Sequence, residues 1–260
     1  MTLLAHTRYC DEILTRTGLL RELVEGADPT TRVPTCPAWN VRDLALHVGG
    51  AHRWAGEMVR DRATEALPPD QVPGSAGPAD EDDPAALGAW LTEGAEATAR
   101  ALRDAGPDTE VWTWAWERRS AFWARRMAHE TVVHRADAAL ATGAAYEVAP
   151  DLAADTVTEG LQIVAFAQAG GDPEAAELRG GGRSLHLHAT DVPEAEWLIE
   201  FGADAFTWRR AHEKATVALR GPLTSLMLAF NRRMKPDEGG LHVLGDRGLL
   251  DFWLERSSFG

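Results

Sequence analysis

The 260-residue chain is poor in cysteine, with Cys10 and Cys36 alone. Two thiols are too few for a disulfide scaffold or a cysteine-rich zinc site, and they fit free thiols in a reducing compartment. Basic residues are also short: 26 Lys and Arg stand against 40 Asp and Glu, a formal charge of −14. That balance argues against a nucleic-acid partner, because counterion release needs a surplus of cations. No run approaches the roughly 18 apolar residues of a membrane span. The opening stretch MTLLAHTRYCDEILTRTG lacks a basic region followed by an apolar one, so no signal peptide is read and a cytoplasmic location is expected. The GGGR at 180–183 lacks the Lys and Ser/Thr of a phosphate loop. Tyrosine is scarce at two residues, yet there are ten tryptophans, which points to packing between helices or to a stacking surface for a ligand.

What is present reads as a soluble α+β protein. Residues 3–25 space Leu3, Leu4, Ile13, Leu14, Leu20 and Leu23 for one helix. A proline-containing loop leads to Asn40, an N-cap with Asp43 three residues on, and a second helix. Residues 62–84 are rich in Pro, Gly and acid, a long loop read as a solvated connector rather than a lid. Helices follow at about 84–104 and 119–142, with Gly143 placed to end the latter. Between them stands VWTWAW. These four helices predict an antiparallel bundle over residues 1–148. From 149 to 260 the texture changes to a helix at about 150–168, short alternating runs at 184–191, 196–201, 206–210 and 215–220, a helix at 222–232, a strand at 241–246 and a last helix. This predicts a smaller α+β domain with a mainly antiparallel sheet.

The chemistry concentrates in HETVVH, residues 129–134. His129 and His134 are five apart, about 140° around a helix, so they do not share a face as the two histidines of a zinc protease do. Glu130 and His134, four apart, do share one, and an imidazole and a carboxylate on adjacent turns make half of a zinc site. His47, in the middle of the second helix on the side of Leu44 and Val48, is the better third ligand; His52 is expected to face outward. A His2Glu set leaves a fourth position open, as in catalytic zinc. The plainer alternative is a surface pair and a core histidine. Asp137 is placed either to orient His134 or simply at the surface. His186 and His188, two apart on a predicted strand, share a face that can bind metal, but are read as solvated strand residues. Arg125 and Arg126 are likewise read as solvated.

Three segments, VPTCPAWNVRDLALHVGGAHRWAGEMV, SAFWARRMAHETVVHRADAALATG and ATVALRGPLTSLMLAFNRRM with LHVLGDRGLLDFWL, resemble the actinobacterial mycothiol-dependent maleylpyruvate isomerase family in order along nearly the whole chain. The resemblance implies a DinB-like metal-binding bundle followed by a sterol-carrier-like domain. It implies metal ligands at His47, Glu130 and His134, with zinc as the first candidate and other divalent transition metals possible. It implies mycothiol as cofactor, held by Arg232 or Arg233. The sequence departs from the family at Ala38 and Ala136, where Gly and Trp are usual.

The activity so implied is cis/trans isomerisation. A thiolate adds to a conjugated double bond, the adduct rotates about the new single bond, and the thiolate leaves. A cation among Arg125, Arg126, Arg232 and Arg233 is expected to hold the substrate carboxylate. Trp54 and Trp114 are candidates to line the pocket, with bundle packing as the alternative. Two other functions fit the same residues: a mycothiol S-transferase in detoxification or secondary metabolism, and a non-catalytic small-molecule binding or stress-response protein. The expected partners are a small-molecule substrate and a low-molecular-weight thiol, with the chain a monomer or homodimer, and neither nucleic acid nor membrane.

Overall fold

A computed structural model describes residues 3–257, so the outermost residues of both expected domains, 1–2 and 258–260, lie outside it. The chain divides into two compact units, Leu4–Tyr146 and the chain from Glu147 onward.

The first unit is a four-helix bundle of α1 (His6–Glu25), α2 (Val41–Arg60), α3 (Pro84–Ala105) and α4 (Ser120–Thr142). Leu3 stands outside α1 and is exposed, which shortens the helix expected from residue 3. The start of α2 is fixed by a reciprocal capping box: Asp43 N–H donates to the Asn40 side chain and Asn40 N–H donates to the Asp43 carboxylate. Gly143 ends α4 with φ 69°, a left-handed conformation that suits glycine. Both α1 and α2 pack on α3 and α4, so α1 and α2 stand diagonally. Two apolar clusters fill the bundle, one around Ile13, Met58, Leu102 and Trp123, the other around Leu20, Leu44, Leu87 and Leu91.

Helix α4 has no one-sided apolar stripe. It is buried over most of its length and takes Arg125, Arg126, His129, His134 and Asp137 inside with it. Buried polar groups of this kind need internal partners, and those partners define the site below. The burial also corrects the reading of Arg125 and Arg126 as solvated residues.

The second unit comprises α5 (Pro150–Ala169), β1 (Ser184–Ala189), β2 (Glu196–Phe201), β3 (Phe206–Arg209), β4 (Val217–Gly221), α6 (Leu223–Phe230), β5 (His242–Gly245) and α7 (Arg247–Arg256). The five strands run in the order β3-β2-β1-β4-β5. Three pairings are antiparallel, but β1 and β4 pair in parallel, so the sheet is mixed rather than wholly antiparallel. The parallel step follows from topology: residues 210–216 must pass from the β3 edge across β2 and β1 to reach β4. Leu185 and Leu187 of β1 are buried, as are Phe230 of α6 and Trp253 of α7. The rings of Phe201, Phe206 and Phe230 gather around Trp253. No helix among the described residues is long and apolar enough to cross a membrane.

Candidate metal centre

Helix α2 presents His47 toward α4. Its Nε2 lies 2.9 Å from Glu130 Oε1, and His134 Nε2 lies 3.2 Å from the same oxygen. The two imidazole rings stand 4.8 Å apart, edge to face. These separations approach the roughly 3.3 Å edge of a tetrahedron with bonds of about 2.0–2.1 Å. Two nitrogens and a carboxylate oxygen are donors that suit a divalent transition metal such as zinc.

Each ligand atom is aimed by a neighbour. His134 Nδ1–H donates to Asp137 Oδ2 at 2.8 Å, which leaves Nε2 turned toward Glu130. Asp137 is fully buried and also accepts from Thr35 Oγ1 at 2.5 Å, with Cys36 Sγ 3.8 Å from its other oxygen. Arg126 Nη2 donates to Glu130 Oε2 at 2.8 Å, so Oε1 is the oxygen left facing the histidines. The Trp39 ring lies 4.6 Å from that of His47 and 5.7 Å from that of His134. Burial alone would raise the Glu130 carboxyl, but Arg126 and His134 outweigh it and hold it well below the ordinary range. Burial would lower His134, yet Glu130 and Asp137 push it up to about 9. Glu130 and His134 thus favour each other's charged form.

His47 and His52 exchange the places expected of them. His52 is fully buried, its Nε2 2.8 Å from Thr131 Oγ1, while the His47 side chain is 38% exposed. The reason is that α2 packs on both α3 and α4, so its buried arc includes His52 and leaves His47 at the rim. There His47 borders a cleft of about 850 Å³, lined also by Leu46, Gly50, Trp54 and residues 69–76. The loop 62–84 is therefore more than a connector. Val72 is buried, Trp90 Nε1–H donates to Gly74 O at 2.9 Å, and Trp54 Nε1–H donates to Leu67 O at 2.8 Å. A second cleft of about 660 Å³, between α2 and α3 around Arg53, Glu57 and Arg100, contains none of the three ligands.

Comparison with known proteins identifies the family. Residues 10–139 match the model of the mycothiol maleylpyruvate isomerase N-terminal domain, and residues 151–252 match that of the C-terminal domain of the same family. The chain belongs to the mycothiol maleylpyruvate isomerase family. Two crystal structures, one of the mycothiol-dependent maleylpyruvate isomerase and one of a mutant of it, share its fold. Each has a TM-score of 0.62 and 15% identity, covering 94% of this chain and 95% of the other. A search among curated protein sequences gave no match.

The other candidate residues of this family member divide between the two units. Trp54 lines the cleft while packing edge to face on Trp112 and Trp123. Trp114 is exposed, packs on Phe122, and does not border the cleft. Arg232 and Arg233 follow the end of α6 in the second unit. Arg232 has φ 61°, and its guanidinium is lowered by burial and by Arg233. Among the described residues of the first unit, no Lys or Arg borders the cleft beside His47. Neither cysteine forms a disulfide; burial pushes the Cys10 thiol up to about 11. Sequence reasoning missed Trp39 and the pairing of Arg126 with Glu130. The i, i+4 spacing of Arg126 and Glu130 was the available signal.

Proposed function

We propose that this protein is a metal-dependent enzyme that uses mycothiol to act on an unsaturated small molecule, in a cis/trans isomerisation of the maleylpyruvate type. The observation that carries the reading is the convergence of His47, Glu130 and His134, with His47 bordering a cleft. His47, Glu130 and His134 would hold the metal, which would supply the Lewis acidity that lowers a thiol's pKa toward neutrality and so suits it to reversible addition to a conjugated double bond.

The protein residues supply position and environment. Glu130 Oε1 and the two Nε2 atoms face one point. Asp137 keeps His134 in the tautomer that leaves Nε2 free for a ligand bond. Arg126 occupies Glu130 Oε2 and keeps the carboxylate ionised. Residues 69–76 and Trp54 wall the cleft that His47 borders.

One observation favours a second reading. With no cation lining the cleft, an uncharged electrophile also fits, and the thiol then remains attached as in an S-transferase. The test is turnover of maleylpyruvate by zinc-loaded protein with and without mycothiol, beside an uncharged electrophile such as a haloarene. Mycothiol-dependent isomerisation supports the first reading. Conjugation of the haloarene alone supports the second. Neither reaction, from protein that holds zinc, defeats both.

A further inference from the structure

The second unit carries a side-chain cluster that the bundle site does not use. His186 and His188 project from β1 on the face opposite Leu185 and Leu187. Glu196 of β2 is the register partner of His188. His212 lies in the segment 210–216, where that segment crosses the sheet toward β4. All three imidazoles converge on one atom. Glu196 Oε2 lies 2.7 Å from His212 Nδ1, 2.9 Å from His186 Nε2 and 3.2 Å from His188 Nδ1. The three rings pack edge to face, with centroids 5.2–5.8 Å apart.

We propose that His186, His188, Glu196 and His212 form a second site for a divalent transition metal, zinc fitting best, which staples the crossing segment to the sheet. Hydrogen bonding accounts poorly for the arrangement. A carboxylate oxygen has two lone pairs, and here three ring nitrogens approach one of them. His186 is only 5% exposed, and its Nε2, although 2.9 Å from Glu196 Oε2, makes no well-formed hydrogen bond there. The potential ligand atoms all lie within 4.8 Å of one another. The three distances to Glu196 Oε2, 2.7–3.2 Å, lie just under the tetrahedral edge of roughly 3.3 Å that zinc bonds of about 2.0–2.1 Å imply.

The donor set also narrows the metal. Three imidazoles and one carboxylate suit zinc, nickel or copper and not calcium or magnesium, which take oxygen ligands. Lys214 and Arg220 line the same shallow depression, so general negative charge does not gather a cation there. Four protein ligands close the coordination shell, which is the pattern of a structural site rather than a catalytic one. The consequence is mechanical. Residues 210–216 have no regular secondary structure, and a metal at His212 ties their middle to β1 and β2. That segment leads directly into β4, which pairs in parallel with β1.

The test uses the full chain carrying His134→Ala, which disables both the His47–Glu130–His134 set and the neighbouring Cys36–His134–Asp137 group. We expect this protein to retain about one zinc per chain, and zinc to raise its Tm. Adding His212→Ala, a side chain 74% exposed and thus removable without disturbing the core, should weaken zinc binding at least about tenfold. It should also abolish the zinc-induced rise in Tm. Glu196→Gln should do the same, with circular dichroism showing both variants folded. A His134→Ala chain that takes up no zinc, or one whose zinc affinity is unchanged by His212→Ala and Glu196→Gln, overturns the proposal and leaves a hydrogen-bonded histidine cluster.

Discussion

Asp137 accepts the Nδ1–H of His134 at 2.8 Å from one turn further along the same helix, and it does so fully buried. The bond fixes the tautomer and rotation of the imidazole before any ligand arrives. Replacing Asp137 with Asn removes the charge that holds the ring. The expected result is a 10–100-fold loss of zinc affinity, roughly the measure of such outer partners, read by competition with a chromophoric chelator. Unchanged affinity would mean that Asp137 serves only Thr35 and Cys36.

Arg126 and Glu130 form a buried ion pair one turn apart on α4. Arg126→Met leaves Glu130 without its cation, and the metal-free protein should lose roughly 3 kcal/mol, the lower end of the range for breaking a buried pair because Glu130 is partly exposed. Zinc supplies a replacement charge. The zinc-induced rise in Tm should therefore be larger in the variant than in the wild type, and an equal rise in both would contradict the account.

Gly49 lets α2 and α3 approach closely. A Cβ there would fall into the Trp90 ring, whose Nε1–H holds the cleft wall at Gly74. Gly49→Ala should cost about 1–3 kcal/mol by overpacking. The neighbouring Gly50, with open space at its Cβ, should accept Ala with a gain of up to about 1 kcal/mol from helix propensity. Thermal unfolding of the two variants side by side distinguishes a packing requirement from a general preference for glycine.

His52 gives stability a pH dependence. Burial lowers its imidazole to about 4; Glu130 opposes this, while Arg53 and His47 add to it. Between about 6.5 and 4 the unfolded chain binds a proton that the folded chain does not. Stability is therefore present above about pH 6.5 and falls as the pH drops through that window, by on the order of 3 kcal/mol. Glu130, held low, loses its contribution only below the ordinary carboxylate range. His134, pushed up to about 9, keeps its contribution in full below about 6.5. Metal-free wild type and His52→Gln, compared by denaturant unfolding at pH 7 and pH 4.5, should differ in slope, with the variant flatter.

The sequence made the helices and the Glu130–His134 pair legible because both obey short-range rules. The Asn40–Asp43 cap, the αL position of Gly143 and the i, i+4 pair Glu130–His134 depend on spacing within a few residues. The exchange of His47 and His52 was not legible, because which arc of α2 is buried depends on how α3 and α4 lie against it. The parallel pairing of β1 with β4 was hidden for the same reason: alternation gives a strand but not its partner. The docking of loop 62–84 rests on indole donors, Trp54 and Trp90, reaching carbonyls far along the chain. His186 reads as a solvated strand residue until the crossing segment covers it.

The most direct test of the central claim is calorimetric titration of mycothiol into zinc-loaded wild type and into Glu130→Gln, in buffers of different ionisation enthalpy. The account predicts saturable binding to the wild type with release of about one proton near neutral pH, as expected when a metal deprotonates a thiol, and loss of both binding and proton release in Glu130→Gln. Binding of equal strength to both proteins, or binding to the wild type without proton release, would contradict it.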